Sequence, residues 1–262
     1  AAQLVISNAD PRRTFLRLVE PVHLEPSFLW KMQNYRSSGS VAKVNLALAG
    51  LPTFNALRDG AGGLPMRSGR VPAAATTGTE EALAGRIHIG PEIDYLERAF
   101  DDAKYGDFSR QPVLDIAIPS LTDPSLAPAG RHVMSIYVQF APFKLKSSDW
   151  NAQRDALGDT VIETLAAYAP DLPGLVLHRQ VITPLDLERE YGLTGGHIFH
   201  GELALDQLFT MRPLLGWARY ATPVEGLYLC GSGTHPGSGL TGLSGANAAR
   251  EILKDWKKLR RA

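Results

Sequence analysis

The sequence is poor in cysteine and has no excess of either charge. One cysteine among 262 residues excludes a disulfide within the chain, and we expect a reducing compartment. Cys230 lies in an apolar run, which favours a small core residue over a nucleophile or a metal ligand. Because 27 basic residues balance 27 acidic ones, no net field attracts nucleic acid or an anionic membrane. Nucleic acid is therefore not an expected partner.

Long hydrophobic runs are also absent. No run reaches the roughly 18 to 20 apolar residues that a membrane-spanning helix needs. The first 15 residues lack the basic region of a secretory signal peptide, so we expect them to belong to the fold of a cytoplasmic protein. Apolar residues make up 44% of the chain, which is typical of a globular protein with one large core or two modest ones.

The middle of the chain predicts a sheet with helices on one side. Strands are predicted where apolar residues alternate or cluster, at 40–50, 85–90, 112–120, 131–142 and 174–184. Helical spacing predicts helices over 92–106 and over 149–168, the second with Ser148 as its cap. Residues 58–85, rich in Gly, Ala, Thr and Pro, indicate a mobile excursion. The order is not strictly strand–helix alternation, which favours an antiparallel or mixed sheet.

Both ends of the chain predict a different layer. Residues 2–11 predict a buried strand and turn, followed by a helix over 12–19 with Asp10 as its cap. Residues 225–231 and the final helix form one strand–helix unit. The fold class is therefore α/β, with an α+β middle part.

A glycine-rich segment joins that last strand to the last helix. Residues 237–242 match G-x-G-x-x-G, but the first glycine lies six residues beyond Gly231, and the chain ends where the next strand would begin. A phosphate-loop lysine and a nucleophile elbow are both missing. What remains is a helix N-terminus near Thr241 whose N–H groups can face an electron-rich group. The alternative is a glycine-rich turn that allows a helix to pack closely on a strand.

A histidine pair lies upstream of this segment. His197, His200 and Glu202 supply ligand types for a metal, but their spacing is not that of a known zinc site, so we expect no metal. If residues 197–203 were extended, His197 and Phe199 would share one face of the strand, with His200 on the other. His200 is either a residue of a substrate cavity or a hydrogen-bonded structural histidine.

Three segments together resemble one family. These are "VISNADPRRTFLRLV" near the start, "GHIFHGELALDQLFTMRP" at 196–213 and "GLYLCGSGTHPGSGLTGLSGANAAREIL" near the end. They resemble the phytoene desaturase group of FAD-dependent oxidoreductases, which includes phytoene dehydrogenases and the pyridine nucleotide-disulphide oxidoreductase domain protein 2 group. The segments occur in the family's order, and the resemblance covers essentially the whole chain.

The resemblance implies a cofactor and its contacts. The cofactor is FAD, with Gly231 and Ser232 near its pyrophosphate or ribityl region, and Gly239, Leu240 and Thr241 near the isoalloxazine. Many related flavoproteins have an acidic residue where Ser232 stands, so the sequence departs from the family pattern at the residue assigned to the ribityl contact. The catalytic residues stay unknown. Candidates for the cavity beside the cofactor are His200, Gln207 and Arg212, the last two with packing or loop bracing as the alternative.

The resemblance also implies which part of an enzyme the chain is. Residues 1–10 would be a residual strand of the FAD domain, 11–220 the substrate-binding domain, and 221–262 the last strand and helix of an incomplete, Rossmann-like FAD domain. The expected partners are an apolar, polyene or lipid-like substrate and a missing amino-terminal FAD-binding half. Without that half, the chain is expected to bind FAD weakly or not at all and to be inactive. A non-catalytic binding or assembly module, and a half-enzyme completed by a separate chain, are the alternatives.

An incomplete FAD domain should leave apolar surface uncovered. Residues 4–7 and 227–230 would be central strands of its sheet, and the last helix would cover one face through a set of apolar residues. That set is Leu243, Ala249, Ile252, Leu253 and Trp256. The other face would be bare, which favours a homo-oligomer. A peripheral contact with a membrane is the further partner that a lipid-like substrate suggests.

Overall fold

A computed structural model describes residues 2–58, 79–237 and 239–259. The chain forms two compact units. The first unit combines residues 1–39 with 184–262, and the second contains residues 40–183. The helices are α1 (Pro11–Arg13), α2 (Pro26–Gln33), α3 (Asn55–Arg58), α4 (Thr79–Leu83), α5 (Ile93–Lys104), α6 (Trp150–Ala166), α7 (Leu172–Leu175), α8 (Pro184–Arg189) and α9 (Leu243–Leu259). The strands are β1 (Val5–Ser7), β2 (Val41–Leu48), β3 (Ile87–Ile89), β4 (Val113–Ala117), β5 (His132–Gln139), β6 (Val176–Ile182) and β7 (Leu227–Leu229).

The second unit is built on a five-stranded antiparallel sheet with the order β3-β4-β5-β2-β6. Each of its strands lies within a segment predicted from the sequence. Side chains alternate in burial along β2, where Ala42, Val44, Leu46 and Leu48 are buried. This period of two is what a sheet with one covered face requires. The antiparallel alternative for the middle of the chain is confirmed.

Helix α6 lies against β6, and a glycine allows the approach. A Cβ atom on Gly158 would lie 2.7 Å from the guanidinium carbon of Arg179 on β6. The same guanidinium forms ion pairs with Asp155 and Asp159 on α6, at 3.5 and 2.5 Å. The predicted cap of this helix is wrong. The Asp149 carboxylate, not Ser148, accepts the N–H groups of Asn151 and Ala152 at 2.8 and 3.1 Å.

The predicted excursion over residues 58–85 lies largely outside the described residues. The described part differs from the prediction because α4 covers Thr79–Leu83. Glu80 and Glu81 lie in the first turn of α4, where carboxylates interact favourably with the helix dipole. Leu83 is buried, so this turn is held by packing.

The first unit contains a two-stranded parallel sheet of β1 and β7. Their register pairs Val5 with Leu227 and Ser7 with Leu229. The Asp10 carboxylate accepts the N–H of Arg13 at 2.9 Å, so the predicted cap after β1 is confirmed. At the other end of the unit, β7 leads through a loop into α9, as predicted from the apolar run and the helical spacing.

The expectation of a bare sheet face is wrong for β7, whereas Val5 and Ile6 of β1 are exposed as expected. On one face, Leu227 and Leu229 pack with Phe15, Phe28 and Met32. On the other face, Tyr228 packs with Ala248 and Ile252 of α9. Because adjacent residues of a strand point to opposite faces, β7 has a core on each side. The free outer edge of β1 remains, and Val5 and Ile6 are 50% and 54% exposed there.

The predicted buried side of α9 is also out of phase. Ser244, Ala248 and Ile252 are buried at a spacing of four, whereas Leu243, Ala249 and Leu253 are exposed. Because a rotation of about 100° separates successive helical residues, an error of one position turns the assumed face toward solvent. Of the predicted set, Ile252 is buried and Trp256 is partly buried.

The α/β class is confirmed, since helices accompany one parallel and one antiparallel sheet. The division into FAD-domain and substrate-domain parts at residues 10 and 220 stays a prediction, because compactness does not assign a function to either unit. Within the described ranges, no helix is both long and apolar enough to cross a membrane.

Candidate functional site

The glycine-rich loop runs from Gly231, after β7, to Gly242, before α9. It begins with a tight turn in which the backbone N–H and the hydroxyl of Thr234 both donate to the Gly231 carbonyl, at 3.0 and 2.8 Å. Later in the loop, Gly237, Gly239 and Gly242 have φ angles of +79°, +81° and +72°. These left-handed conformations favour glycine, so the glycines shape the turn itself.

The first glycines of the loop are required by packing within the protein. A Cβ atom on Gly231 would lie 2.9 Å from Asn8 Oδ1 and 3.1 Å from His200 Nδ1. A Cβ atom on Gly233 would lie 2.3 Å from the Pro11 ring. At these two positions the glycines allow the loop itself to pack closely on Asn8, Pro11 and His200, whereas the alternative from the sequence was close packing of a helix on a strand.

The later part of the loop is open. A Cβ atom on Gly239 would have only Phe199 within 4 Å, at 3.9 Å, and the Leu240 side chain is fully exposed. Among the described residues, the backbone N–H groups of Gly239, Leu240 and Thr241 have no hydrogen-bond acceptor. Thr241 Oγ1 accepts the N–H of Leu243 at 3.3 Å, so this residue begins the approach to α9. Three successive N–H groups without an acceptor in the described part of the chain therefore lie just before a helix N-terminus.

Arg212 is fully buried and holds the segments around the loop together. Its Nε donates to the Ser232 carbonyl at 2.8 Å, and its Nη1 donates to the carbonyls of Glu202 and Gln207 at 3.1 Å each. Its Nη2 donates to the carbonyls of Phe199 and Gly201. Burial lowers the pKa of this guanidinium. All three guanidinium nitrogens donate to backbone carbonyls. This arrangement favours loop bracing, the alternative given for Arg212 from the sequence.

Gln207 makes a similar bridge. Its Oε1 accepts the N–H of Arg36 at 2.7 Å, and its Nε2 donates to the Arg36 carbonyl at 2.9 Å. The Gln207 side-chain amide thus pairs with both backbone groups of Arg36, as a residue of a neighbouring strand would. Arg36 is also ion-paired through Nε with Glu202 at 3.0 Å. Contact of Gln207 or Arg212 with a cofactor or substrate stays a prediction.

His200 lies where the loop, β1 and residues 197–203 meet. Its φ angle is +60°, and its carbonyl accepts the Tyr35 hydroxyl at 3.2 Å. Nδ1 is buried without a hydrogen-bond partner among the described residues. Burial lowers the pKa of the imidazole, and the nearby Asp10 carboxylate opposes this. The expectation of alternating faces over 197–203 is wrong, because a left-handed residue and turns replace a strand.

His197 is a neutral acceptor. Its Nδ1 accepts the N–H of Phe199 at 3.2 Å. Burial lowers the pKa of His197 to about 4, and the Arg212 charge acts in the same direction. The lone pair at Nδ1 is therefore used within the protein. Across the residues that the structure describes, no group of three His, Cys, Asp or Glu side chains is arranged to hold a metal ion.

Comparison with known proteins shows which proteins the chain is similar to. No protein-family model matches the chain. The chain is 38% identical over 261 residues to pyridine nucleotide-disulfide oxidoreductase domain-containing protein 2 of Rattus norvegicus, which covers 98% of the chain and 42% of the relative. The chain is a homologue of this oxidoreductase-domain protein. It spans less than half the length of that relative.

Two bacterial relatives are more distant. One component of the limonene dehydrogenase of Castellaniella defragrans is 30% identical over 138 residues, covering 51% of the chain and 25% of the relative. The lycopene-forming phytoene desaturase of Pantoea ananas is 30% identical over 166 residues, covering 62% of the chain and 32% of the relative. The resemblance to the phytoene desaturase group is confirmed, and the chain is oxidoreductase-like.

The later loop residues could contact a bound group that carries hydrogen-bond acceptors. The backbone N–H groups of Gly239, Leu240 and Thr241, which have no acceptor among the described residues, are available as donors, and the exposed Leu240 side chain offers apolar contact. Ser232 has a hydroxyl that donates to the Gly239 carbonyl at 3.3 Å, which ties the start of the loop to its open part. The donor set is therefore compatible with a planar acceptor group such as a flavin ring, and Ser232 holds the start of the loop against its open part.

Some residues at this site escaped the sequence analysis. Asp10 is read from the sequence only as a helix cap, yet it also accepts the Thr194 hydroxyl at 2.7 Å. Tyr35, with a pKa raised to about 12 by burial, and Asn8 also lie at the site. The sequence around Asp10 gives no sign of this second hydrogen bond, because Thr194 is 184 residues away in the chain.

Proposed function

We propose that this chain is the C-terminal part of an FAD-dependent dehydrogenase or desaturase. One observation carries the proposal: an open loop before a helix N-terminus, whose three backbone N–H groups have no acceptor among the described residues, in a homologue of oxidoreductase-domain proteins. The chain spans 42% of the rat relative, which supports a functional unit that includes further residues. The missing part would supply the loop that holds the adenosine diphosphate half of FAD.

Two parts of the loop would have different tasks. Gly231 and Ser232 would lie near the pyrophosphate or ribityl region, with their positions fixed by Asn8, His200 and Arg212. The N–H groups of Gly239, Leu240 and Thr241 would donate to the isoalloxazine. The bound flavin would supply hydride acceptance. The fixed donors and the positive end of α9 would favour the negative charge that reduction places on the ring.

His200 is the candidate that could face the bound cofactor or substrate. Its buried Nδ1 lacks a partner among the described residues, and a buried polar atom of this kind costs free energy until it gains one. Because burial lowers the pKa of the imidazole, it would act as a neutral donor or acceptor at pH 7. Gln207 and Arg212 would act through the backbone segments that they hold, as positioning residues.

The proposed substrate is an apolar polyene or a lipid-like molecule. The names of two relatives contain phytoene and limonene, and both compounds are hydrocarbons without a charged group. A substrate of this kind needs orientation by shape and apolar contact, while the cofactor performs the chemistry. A peripheral membrane contact is a proposal that goes with this substrate class, and a homo-oligomer is a proposal that goes with the exposed Val5 and Ile6 of β1.

The test is a substitution of Gly239, which lies in the open part of the loop. The chain is produced together with the part of the rat relative that it does not match. In this pair, Gly239→Val should lower both flavin content and dehydrogenase turnover. A branched side chain would block the approach of the ring and strain a φ of +81°. Gly130→Val is the matched control, since Gly130 has a φ of +72° and open space around it, in the other unit.

The outcomes separate the alternatives. Unchanged flavin content and turnover in Gly239→Val would contradict the assignment of this loop. Flavin binding without turnover on any polyene or lipid would favour the non-catalytic module. Turnover only when the two parts are supplied as separate chains would favour the half-enzyme.

A further inference from the structure

A cavity of about 550 Å³ lies on the side of α9 in the first unit, apart from the open glycines. Helix α9 contributes Asn247, Arg250 and Glu251, which share one helical face at spacings of three and four. Residues between 210 and 220 and His235 of the glycine-rich loop contribute the rest of the lining. The volume is within the range of small-molecule sites.

One part of the lining is apolar. Leu215, Ala218 and Tyr220 line the cavity, and Leu215 is 64% exposed although it is a large apolar residue. Tyr220 is held in place because its hydroxyl donates to the His235 carbonyl at 2.8 Å. A rigid aromatic wall beside an exposed leucine offers contact area to an apolar or aromatic body.

The other part of the lining is cationic. Arg219 has no side-chain hydrogen bond or ion pair with the residues that the structure describes, and Arg250 donates only to Asn247 Oδ1, at 3.1 Å. The one acidic group, Glu251, is already ion-paired with Lys254 at 2.5 Å. His235 adds a buried Nδ1 atom that lacks a partner among the described residues. Two arginines thus line the cavity, and the one acidic residue of its described lining already has an ion-pair partner.

We propose that this cavity binds an amphipathic organic anion, with an apolar or aromatic body against Leu215, Ala218 and Tyr220 and an acidic group on Arg219 and Arg250. A carboxylate, sulfonate or phosphate can accept from a guanidinium through two parallel hydrogen bonds. The two arginines would repel a cation, and a purely apolar ligand would leave both guanidinium groups without an anionic partner. The proposal does not depend on FAD, since every lining residue belongs to one unit of the chain.

The test uses two fluorescent probes on the purified chain. The anionic probe is 8-anilinonaphthalene-1-sulfonate, and the neutral probe is N-phenyl-1-naphthylamine. Arg219→Gln/Arg250→Gln should weaken binding of the anionic probe by about tenfold or more, because charged hydrogen bonds are lost. Binding of the neutral probe should stay unchanged. Arg17→Gln, at an exposed arginine outside the cavity lining, is the matched control and should bind both probes as the original chain does.

A second variant and a competition guard against unrelated effects. Leu215→Asp changes an exposed position, so it should keep the fold while it repels the anionic probe. Phenyl phosphate should displace the probe at lower concentration than inorganic phosphate does. Absence of saturable one-to-one binding, or a double-arginine variant that binds the anionic probe within about a factor of two of the original, would overturn the proposal. Equal displacement by the two phosphates would also contradict the apolar part of it.

Discussion

At the scale of single residues, the candidate site depends on glycines and on buried polar groups that serve the backbone. Gly195 and Gly196 have φ angles of +65° and +66°, and Gly201 is closely approached by the Tyr35 hydroxyl. Around them, Arg212 and Gln207 satisfy carbonyl and N–H groups that no helix or strand pairs. Because buried backbone groups must be paired, these side chains replace regular structure in the segment over 197–212.

Gly195 gives a direct test of this close packing. Gly195→Ala would place a Cβ atom 2.1 Å from the Ser37 carbonyl oxygen and would strain a left-handed residue. We expect the free energy of unfolding to fall by at least about 2 kcal/mol, measured by urea unfolding. Gly245→Ala, inside α9 with nothing within 4 Å, should instead gain about 0.5 kcal/mol. Equal effects of the two changes would contradict the structure of the 195–201 segment.

His197 should make stability depend on pH. Its folded pKa of about 4 lies below the usual 6.5, so the unfolded chain binds the proton more tightly. This stabilising contribution is complete above pH 6.5 and is lost as the pH falls from 6.5 toward 4. We expect a loss of about 2 kcal/mol over this window.

The measurement compares urea unfolding of the original chain with that of His197→Gln, so that the titration of carboxylates cancels in the difference. The variant should show a flatter dependence between pH 7 and about pH 4.5. An identical pH dependence in the two proteins would show that His197 is not held neutral by burial.

At the scale of elements, the sequence predicted strands better than caps and helix faces. The alternation over residues 41–48 and 132–139 is strong, because one face of each strand is buried. The cap of α6 depends on one residue among two polar neighbours, and spacing alone does not choose between Ser148 and Asp149. The buried side of α9 was predicted only in part for a similar reason, since Ala248 and Ala249 both fit an apolar pattern and only Ala248 is buried.

The corrected cap can be measured. Asp149→Ala should lower the free energy of unfolding of the second unit by about 1 kcal/mol, because two N–H groups of α6 lose their acceptor. Ser148→Ala is the control and should have little effect, since that hydroxyl only accepts from the exposed Gln153 amide at 3.2 Å. Circular dichroism during urea unfolding gives both values. A larger loss for Ser148→Ala would restore the cap predicted from the sequence.

At the scale of the whole molecule, the glycine-rich loop and the resemblance to a family could be recognised from the sequence. The hydrogen bonds that hold the segments around the loop together could not. The motif around residues 228–253 is contiguous, so its residue types are visible together. The network of Asp10, Tyr35, Thr194 and Arg212 joins residues that are far apart in the chain. Both faces of β7 are covered by helices from the two ends of the sequence, which apolar runs alone do not reveal.

The central proposal is that this chain provides one side of a flavin site whose other side corresponds to the part of the rat relative that the chain does not match. The most direct measurement is visible flavin absorbance after incubation with FAD and gel filtration, for the purified chain alone and for the chain with the unmatched part of the rat relative. The account predicts little or no bound flavin for the chain alone and clear flavin retention for the pair. Stoichiometric FAD in the isolated 262-residue chain, or none in the pair when that pair forms a folded complex, would contradict it.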